Sequence, residues 1–180
     1  LFKTSSFSTD FYITDYGATL VLKNVKNLDE TDAQEVGTED DKILEWDRID
    51  IILKGSNIEK SKIIRESKSI QGTINYYQTH TNNVISSNEY GKITIKEVYP
   101  NIDWVIYNSS EQGYKYDFVL HSGANPNDIQ MIYRSKEKLE LLPDGSISIQ
   151  TRNSNIKEEA PRTFLNGILI DSKYELKSIV

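Results

Sequence analysis

The stretch "GYKYDFVLHSGANPNDIQMIYRSKEKLELLPDGSISIQ", residues 113–150, decides the fold class. Tyr114, Tyr116, Phe118 and Leu120 alternate with Lys115, Asp117 and Val119, and His121 follows. A polar knot from Ser122 to Asn127 interrupts, and Ile129, Met131 and Tyr133 then resume the alternation. Period two puts successive side chains on opposite faces of an extended chain, so each run reads as a strand with one buried face. Two such runs joined by a polar segment predict a core hairpin over 113–133. In that segment Gly123 permits an unusual backbone angle and Pro126 fixes the next one. Further on, Pro143-Asp144-Gly145 separates Leu139 and Leu141 from Ile147 and Ile149, which predicts a second turn between strands.

The same grammar runs outward through the chain. "FYIT" (11–14) and "ATLVLKNV" (18–25) flank Tyr16-Gly17, a turn candidate. In "ILEWDRIDIILK" (43–54), Ile49, Ile51 and Leu53 share one face while Asp50 and Lys54 take the other. "GKITIKEVY" (91–99) begins with Ile93 and Ile95 in phase, then shifts its apolar positions to Val98, Ile102, Trp104 and Ile106. A slip of one residue near Glu97 flips the face, which predicts a bulge or bend there. Asn166-Gly167 between Phe164-Leu165 and Ile168-Ile170 supplies the positive φ angles of a tight hairpin. Ten to twelve strands are expected. Helix is confined to one turn at Pro126-Asn127-Asp128 and a weaker candidate at "NIEKSKIIRES" (57–67). The expected class is all-β: an antiparallel, two-sheet, β-sandwich-like fold with little helix, in a single domain over 1–180.

Composition narrows the chemistry. There is no cysteine, which removes disulfides, thiolate catalysis, zinc ribbons and iron–sulfur clusters. The net charge of −6 is local, because seven acids and no base fall between Asn27 and Asp41. Outside that segment 20 acids face 21 bases, so nothing resembles the basic stripe of a nucleic-acid binder. Segment 27–41 has no apolar period and reads as an acidic, mobile surface loop. Calcium is the alternative, although the spacing does not match an EF-hand loop. No apolar run approaches the roughly 20 residues of a membrane-spanning helix. The chain begins "LFKTSS" without Met, as a processed or excised piece would.

Few residues offer catalytic chemistry. His80 and His121 are the two histidines, and no Gly-x-Ser-x-Gly elbow accompanies them. His121 sits on the polar phase of its strand, as a surface side chain would. Asp103 and Asp117 are the carboxylates to consider for glycoside hydrolysis, which needs only two. Both lie between apolar neighbours on the face opposite the aromatics. On an exposed face they are solubilising charges; on a buried one each needs a partner, for which Arg134 or Lys115 could serve. Tyr76 and Tyr77, in "INYYQTHTNN" (74–83), sit beside amides and hydroxyls in the manner of a sugar platform, yet half-exposed strand positions explain the same rings. No catalytic residue, metal ligand or cofactor is assigned from the residues, and the binding residues stay open.

One resemblance adds to this. "YGKITIKEVYPNIDWVIY", "GYKYDFVLHSGANPNDIQMIY", "LELLPDGSISIQT" and "KEEAPRTFLNG" resemble the N-terminal domain of unknown function that precedes SBBP-type beta-propeller repeats in large secreted bacterial proteins. The matching residues are Tyr99, Pro100, Ile102 and Asp103; Tyr116, Asp117, Phe118 and Val119; Gly123, Ala124 and Pro126; and Asp144 and Gly145. The likeness covers about residues 43 to 170. The family's Gly after Tyr-Pro is Asn101 here, and Asn tolerates the left-handed backbone. The family's Asp before the second Pro is Asn125, and Ser122 replaces a Pro. The resemblance implies an exported or cell-surface, non-catalytic structural or interaction module. Its partners would be neighbouring domains of the same polypeptide and a surface glycan or protein, with no nucleic acid. A carbohydrate-binding domain and a glycoside-hydrolase-like enzyme are the competing classes. The first needs two or more aromatic faces along one exposed groove. The second needs two carboxylates facing across a cleft, one with a raised pKa.

Overall fold

A computed structural model describes residues 1–5, 8–27, 42–67, 73–76, 85–109, 113–136, 138–152 and 154–177. The chain is all-β and antiparallel with little helix, as the alternation predicts. Sixteen short strands among the described residues form five sheets, the largest having five and four strands. The chain divides into two compact units, Leu1–Ile52 with Ile132–Val180, and Leu53–Met131. Of the acidic segment 27–41, residues 28–41 lie outside the described residues, and so do Tyr77 and His80.

The first unit is built on the strands β1 (Phe2–Ser5), β2 (Thr9–Ile13), β3 (Gly17–Asn27) and β4 (Lys42–Leu53). Their register aligns Ile13, Ala18 and Ile51 in one row and Phe11, Leu20 and Ile49 in the next. Phe11, Ile13, Ala18, Ile49 and Ile51 are buried, so this face carries the unit's core. The opposite face shows the other phase of the same strands and positions the site described below.

The second unit holds β5 (Ile63–Ser67), the hairpin β6 (Thr73–Tyr76) and β7 (Ile85–Asn88), and then β8 (Tyr90–Tyr99), β9 (Ile102–Ser109) and β10 (Gly113–Leu120). Its four-stranded sheet runs β10-β9-β8-β5, which aligns Ile63, Ile95, Trp104 and Phe118 in one row. Segment 57–67, the weaker helix candidate, contains a single 3₁₀ turn at Lys60–Lys62 and then becomes β5. Ile63 is buried beside β8, and that burial outweighs any local helical preference. The turn at Pro126–Asp128 forms as expected, with the Asn125 side chain accepting from the Asn127 N–H.

The hairpin expected over 113–133 does not form. β10 pairs with β9, whereas β11 (Met131–Arg134) joins the five-stranded sheet beside β4. The connection between them carries the chain from one sheet to another. Leu120 is exposed and Phe118 only half-buried, so the face is less deeply packed than its aromatic content suggests.

The first unit is completed by β12 (Leu139–Leu141), β13 (Ile147–Gln150) and β14 (Asn155–Glu158), and by the hairpin β15 (Thr163–Leu165) and β16 (Ile168–Ile170). The turn before β13 has Pro143 at its first corner and Gly145 at φ +82°, closed by the Gly145 N–H on the Leu142 carbonyl at 2.9 Å. The Asp144 carboxylate accepts from the Ser146 side chain and backbone and from Lys157, which together hold its pKa far below the ordinary range. Asn166 (φ +51°) and Gly167 (φ +81°) are both left-handed, as a two-residue type I′ hairpin requires.

β8 and β9 are joined by Pro100-Asn101, with Asn101 at φ +59°. The left-handed backbone explains why Asn can replace Gly here. Asn101→Gly is expected to be close to neutral and Asn101→Val to cost about 1–2 kcal/mol, because a β-branched residue resists positive φ. Urea unfolding checks this, and equal stability of the two variants would refute it.

Candidate functional site

Among the described residues, two clusters of side chains bear on function, one in each unit. In the second unit the register of β8 on β9 breaks between the pairs Ile95–Trp104 and Tyr99–Ile102. Lys96, Glu97 and Val98 therefore stand opposite Asp103 alone, with Glu97 at φ +49°. The interruption falls where the apolar phase slips, but it is two residues deep. Backbone N–H groups inside a bulge lose their ladder partners. Asp103, 2% exposed, replaces one: its Oδ1 accepts the Glu97 N–H at 2.9 Å. Its Oδ2 accepts from Lys96 Nζ at 2.6 Å and from His121 Nε2 at 2.9 Å. Burial alone would push the Asp103 pKa up; the bonds from Lys96, the Glu97 N–H and His121 outweigh it and hold the pKa at about 2.

This arrangement corrects the expected partners. Asp103 pairs with Lys96 and His121, not with Arg134 or Lys115. His121 is half-exposed and is engaged by a buried carboxylate. Asp117 is exposed, close to the Tyr107 hydroxyl, whose pKa is raised first by burial and then by the Asp117 charge. A glycosidase general acid needs a carboxyl held protonated near neutral pH, and Asp103 is driven the opposite way. Chemically, Asp103 seals a bulge.

The second place is the outward face of β2, β3 and β4. Tyr12, Thr19 and Asp50 form one row across the three strands, and Lys23 pairs with Trp46 further along. Tyr12, Thr19, Lys23 and Trp46, with Thr14, Tyr16, Val21, Leu44 and Arg48, line an open groove of about 530 Å³. Trp46 is 57% exposed, and Tyr12 and Tyr16 are half-buried. The Asp50 carboxylate accepts from Thr19 Oγ1 at 2.6 Å and from Arg48 Nε at 3.0 Å. Arg48 Nη2 in turn donates to the Tyr16 hydroxyl at 3.2 Å. Asp10 takes Lys23 at 2.8 Å and Lys3 at 3.3 Å, and its pKa falls to about 2, chiefly through Lys23. Behind Trp46, Arg152 donates to the Trp46 carbonyl at 3.1 Å and to the buried Asp47 at 3.0 Å, which fixes the strand that carries the ring.

No residue of this groove was among the sequence candidates. Tyr76 lies in β6, and Tyr77 beyond it is outside the described residues. One signal for the groove was present: Trp46 shares the phase of Asp50, not that of Ile49 and Ile51, and a Trp on the polar phase of a strand is an exposed ring. Among the described residues no three His, Asp or Glu side chains cluster as a metal site would require, and no helix is long and apolar enough to cross a membrane.

Fold and groove together define an all-β, antiparallel domain that displays a preorganised aromatic surface. The chain belongs to the family described as domain of unknown function DUF7948, whose profile matches residues 1–179 and so spans both units. No curated protein and no solved structure matches it.

Proposed function

We propose that this chain is a non-catalytic interaction module of an exported or cell-surface multidomain protein. The observation that carries the reading is the groove on β2–β4, where Tyr12, Tyr16 and Trp46 line one open surface over a fixed polar network. An exposed Trp46 beside two half-buried tyrosines on a rigid sheet loses little conformational freedom on binding and supplies contact area, which suits recognition. Exposed apolar residues of the β15–β16 hairpin, among them Phe164, Ile168 and Leu169, fit an interaction role as well. Export rests on the resemblance to domains that precede beta-propeller repeats in secreted proteins. The glycosidase reading is disfavoured, since Asp103 is committed to the β8–β9 bulge.

Intact cells that make the protein provide the test. Surface labelling is expected to reach it, and added labelled chain is expected to bind the cell surface without altering it chemically. Protein found only inside the cell would overturn the exported reading, and catalytic release of sugar from the surface would overturn the non-catalytic one.

A further inference from the structure

We propose that the β2–β4 groove is a platform for a neutral polysaccharide, stacked on Trp46 and Tyr12 and hydrogen-bonded by the Arg48–Asp50 pair. The inference rests on the interaction-module reading and names the ligand class for its surface.

Charge selects the ligand first. The groove's charged side chains are already partnered, Arg48 with Asp50 and both Lys3 and Lys23 with Asp10. Here three cations face two acids, and in the hollow beyond β4 Arg134, Lys136 and Arg152 face Glu45 and Asp47, so the surface carries a small positive excess and most of its charges are held in ion pairs. A polyanion would have to break these pairs to gain its contacts, whereas an uncharged ligand rich in hydroxyls does not. The local network is also oriented. Asp50 accepts from Thr19 and Arg48, and Arg48 reaches Tyr16, so donors and acceptors are fixed before any ligand arrives. A sugar hydroxyl both donates and accepts, and a fixed donor beside a fixed acceptor matches it.

The aromatic rings select the ligand second. A pyranose has a face of C–H groups that packs on a flat ring, while its rim carries hydroxyls. A protein segment would prefer an apolar pocket in which to bury an anchor, and the groove is open instead. Tyr12 and Trp46 are separated by two strands and four residues along the sheet, roughly 17 Å by ideal sheet spacing. One monosaccharide cannot touch both rings; a short run of a polymer can. Leu44, Trp46 and Arg48 also line a second hollow of about 560 Å³ that continues past β4 to Arg134, Gln150 and Arg152. Trp46 thus stands on the ridge between two hollows, where an extended chain would cross it.

The 180-residue chain should be run through native gels containing a soluble β-glucan, a mannan, a xylan or a polyuronate, each at low and high salt. At least one neutral polymer is expected to retard it, with little change at high salt. Trp46→Ala is expected to weaken binding about tenfold or more, as for a hot-spot ring, with unchanged melting temperature; Tyr12→Ala should weaken it similarly but also lower the melting temperature, since the half-buried Tyr12 ring lies under Lys3 Nζ at 5.3 Å. Trp46→Phe, which keeps a ring, should retain most of the binding. Retardation by the polyuronate alone, abolished by salt, would overturn the neutral-ligand proposal, and so would no retardation in any gel. The same variants on intact cells separate the two levels of inference. If Trp46→Ala loses cell-surface binding while no polysaccharide binds, the groove is the working surface and the ligand class is wrong. If Trp46→Ala binds cells as well as the parent does, the groove reading fails too.

Discussion

Asp103→Ala is expected to destabilise the protein by about 3 kcal/mol at pH 7, since an unsatisfied buried donor costs about 1–3 kcal/mol and charged hydrogen bonds about as much. The donor in question is the part-buried Glu97 N–H, which the bulge has taken out of the ladder and whose partner among the described residues is Asp103. Lys96 and His121 are half-exposed and can return to water, so they add less than fully buried partners would. Asp103→Asn keeps an acceptor for the N–H but loses the charge, and should fall between parent and Ala. The pH dependence follows from the direction of the shift. With its folded pKa depressed to about 2, Asp103 contributes stability that is fully present above the ordinary carboxyl value near 3.8 and is lost as pH falls towards 2. A shift of that size is worth about 2 kcal/mol. Asp10, also near 2, loses stability in the same window, so the informative quantity is the gap between parent and Asp103→Asn. Urea unfolding at pH 7 and at pH 2.5 should show that gap shrinking. A gap that stays constant, or an Ala variant within 0.5 kcal/mol of the parent, would refute the assignment.

The strands and turns were legible in the sequence because they are local. Alternation reports which residues share a face, and Asn166-Gly167 or Pro143-Asp144-Gly145 report backbone angles that few other residues accept. Sheet membership is not local. The runs before and after Ser122–Asn127 read alike as strands, yet one pairs with β9 and the other lies beside β4. The bulge left a trace in the shifted apolar phase near Glu97. Its depth did not, because two skipped residues depend on the carboxylate that fills the gap from β9. The partners of Asp103 are not legible in the sequence for the same reason: Lys96 reaches it across the bulge and His121 from the end of β10. In the groove, Tyr12, Tyr16 and Trp46 are brought together by the pairing of β3 with its two neighbours, and no short window of sequence contains all three.

Trp104→Ala is expected to have the largest effect of any single aromatic truncation in the second unit, about 3–5 kcal/mol. Trp104 is 2% exposed, and its ring lies 6.5 Å from Phe118, nearly parallel, and 6.4 Å from Tyr116, edge-on. Removing it empties the row that links Ile95 on β8 to Phe118 on β10. Phe118→Ala, which the alternation alone would rank equally, should cost roughly half as much, since Phe118 is half-buried on an edge strand and Trp104 is enclosed on a central one. Trp104→Phe separates the ring from its polar atom. The indole Nε1 is buried with no hydrogen-bond partner among the described residues, a deficit of about 1–3 kcal/mol that Phe removes. Phe also gives up contact area, and the two effects oppose, so Trp104→Phe should lie within about 1 kcal/mol of the parent. Denaturant unfolding of the three variants orders them: Ala at Trp104 lowest, Ala at Phe118 between, Phe at Trp104 nearest the parent. If Trp104→Phe proves as damaging as Trp104→Ala, the indole N–H has a partner that stabilises the fold, and the core of this sheet is held by a polar contact as well as by packing.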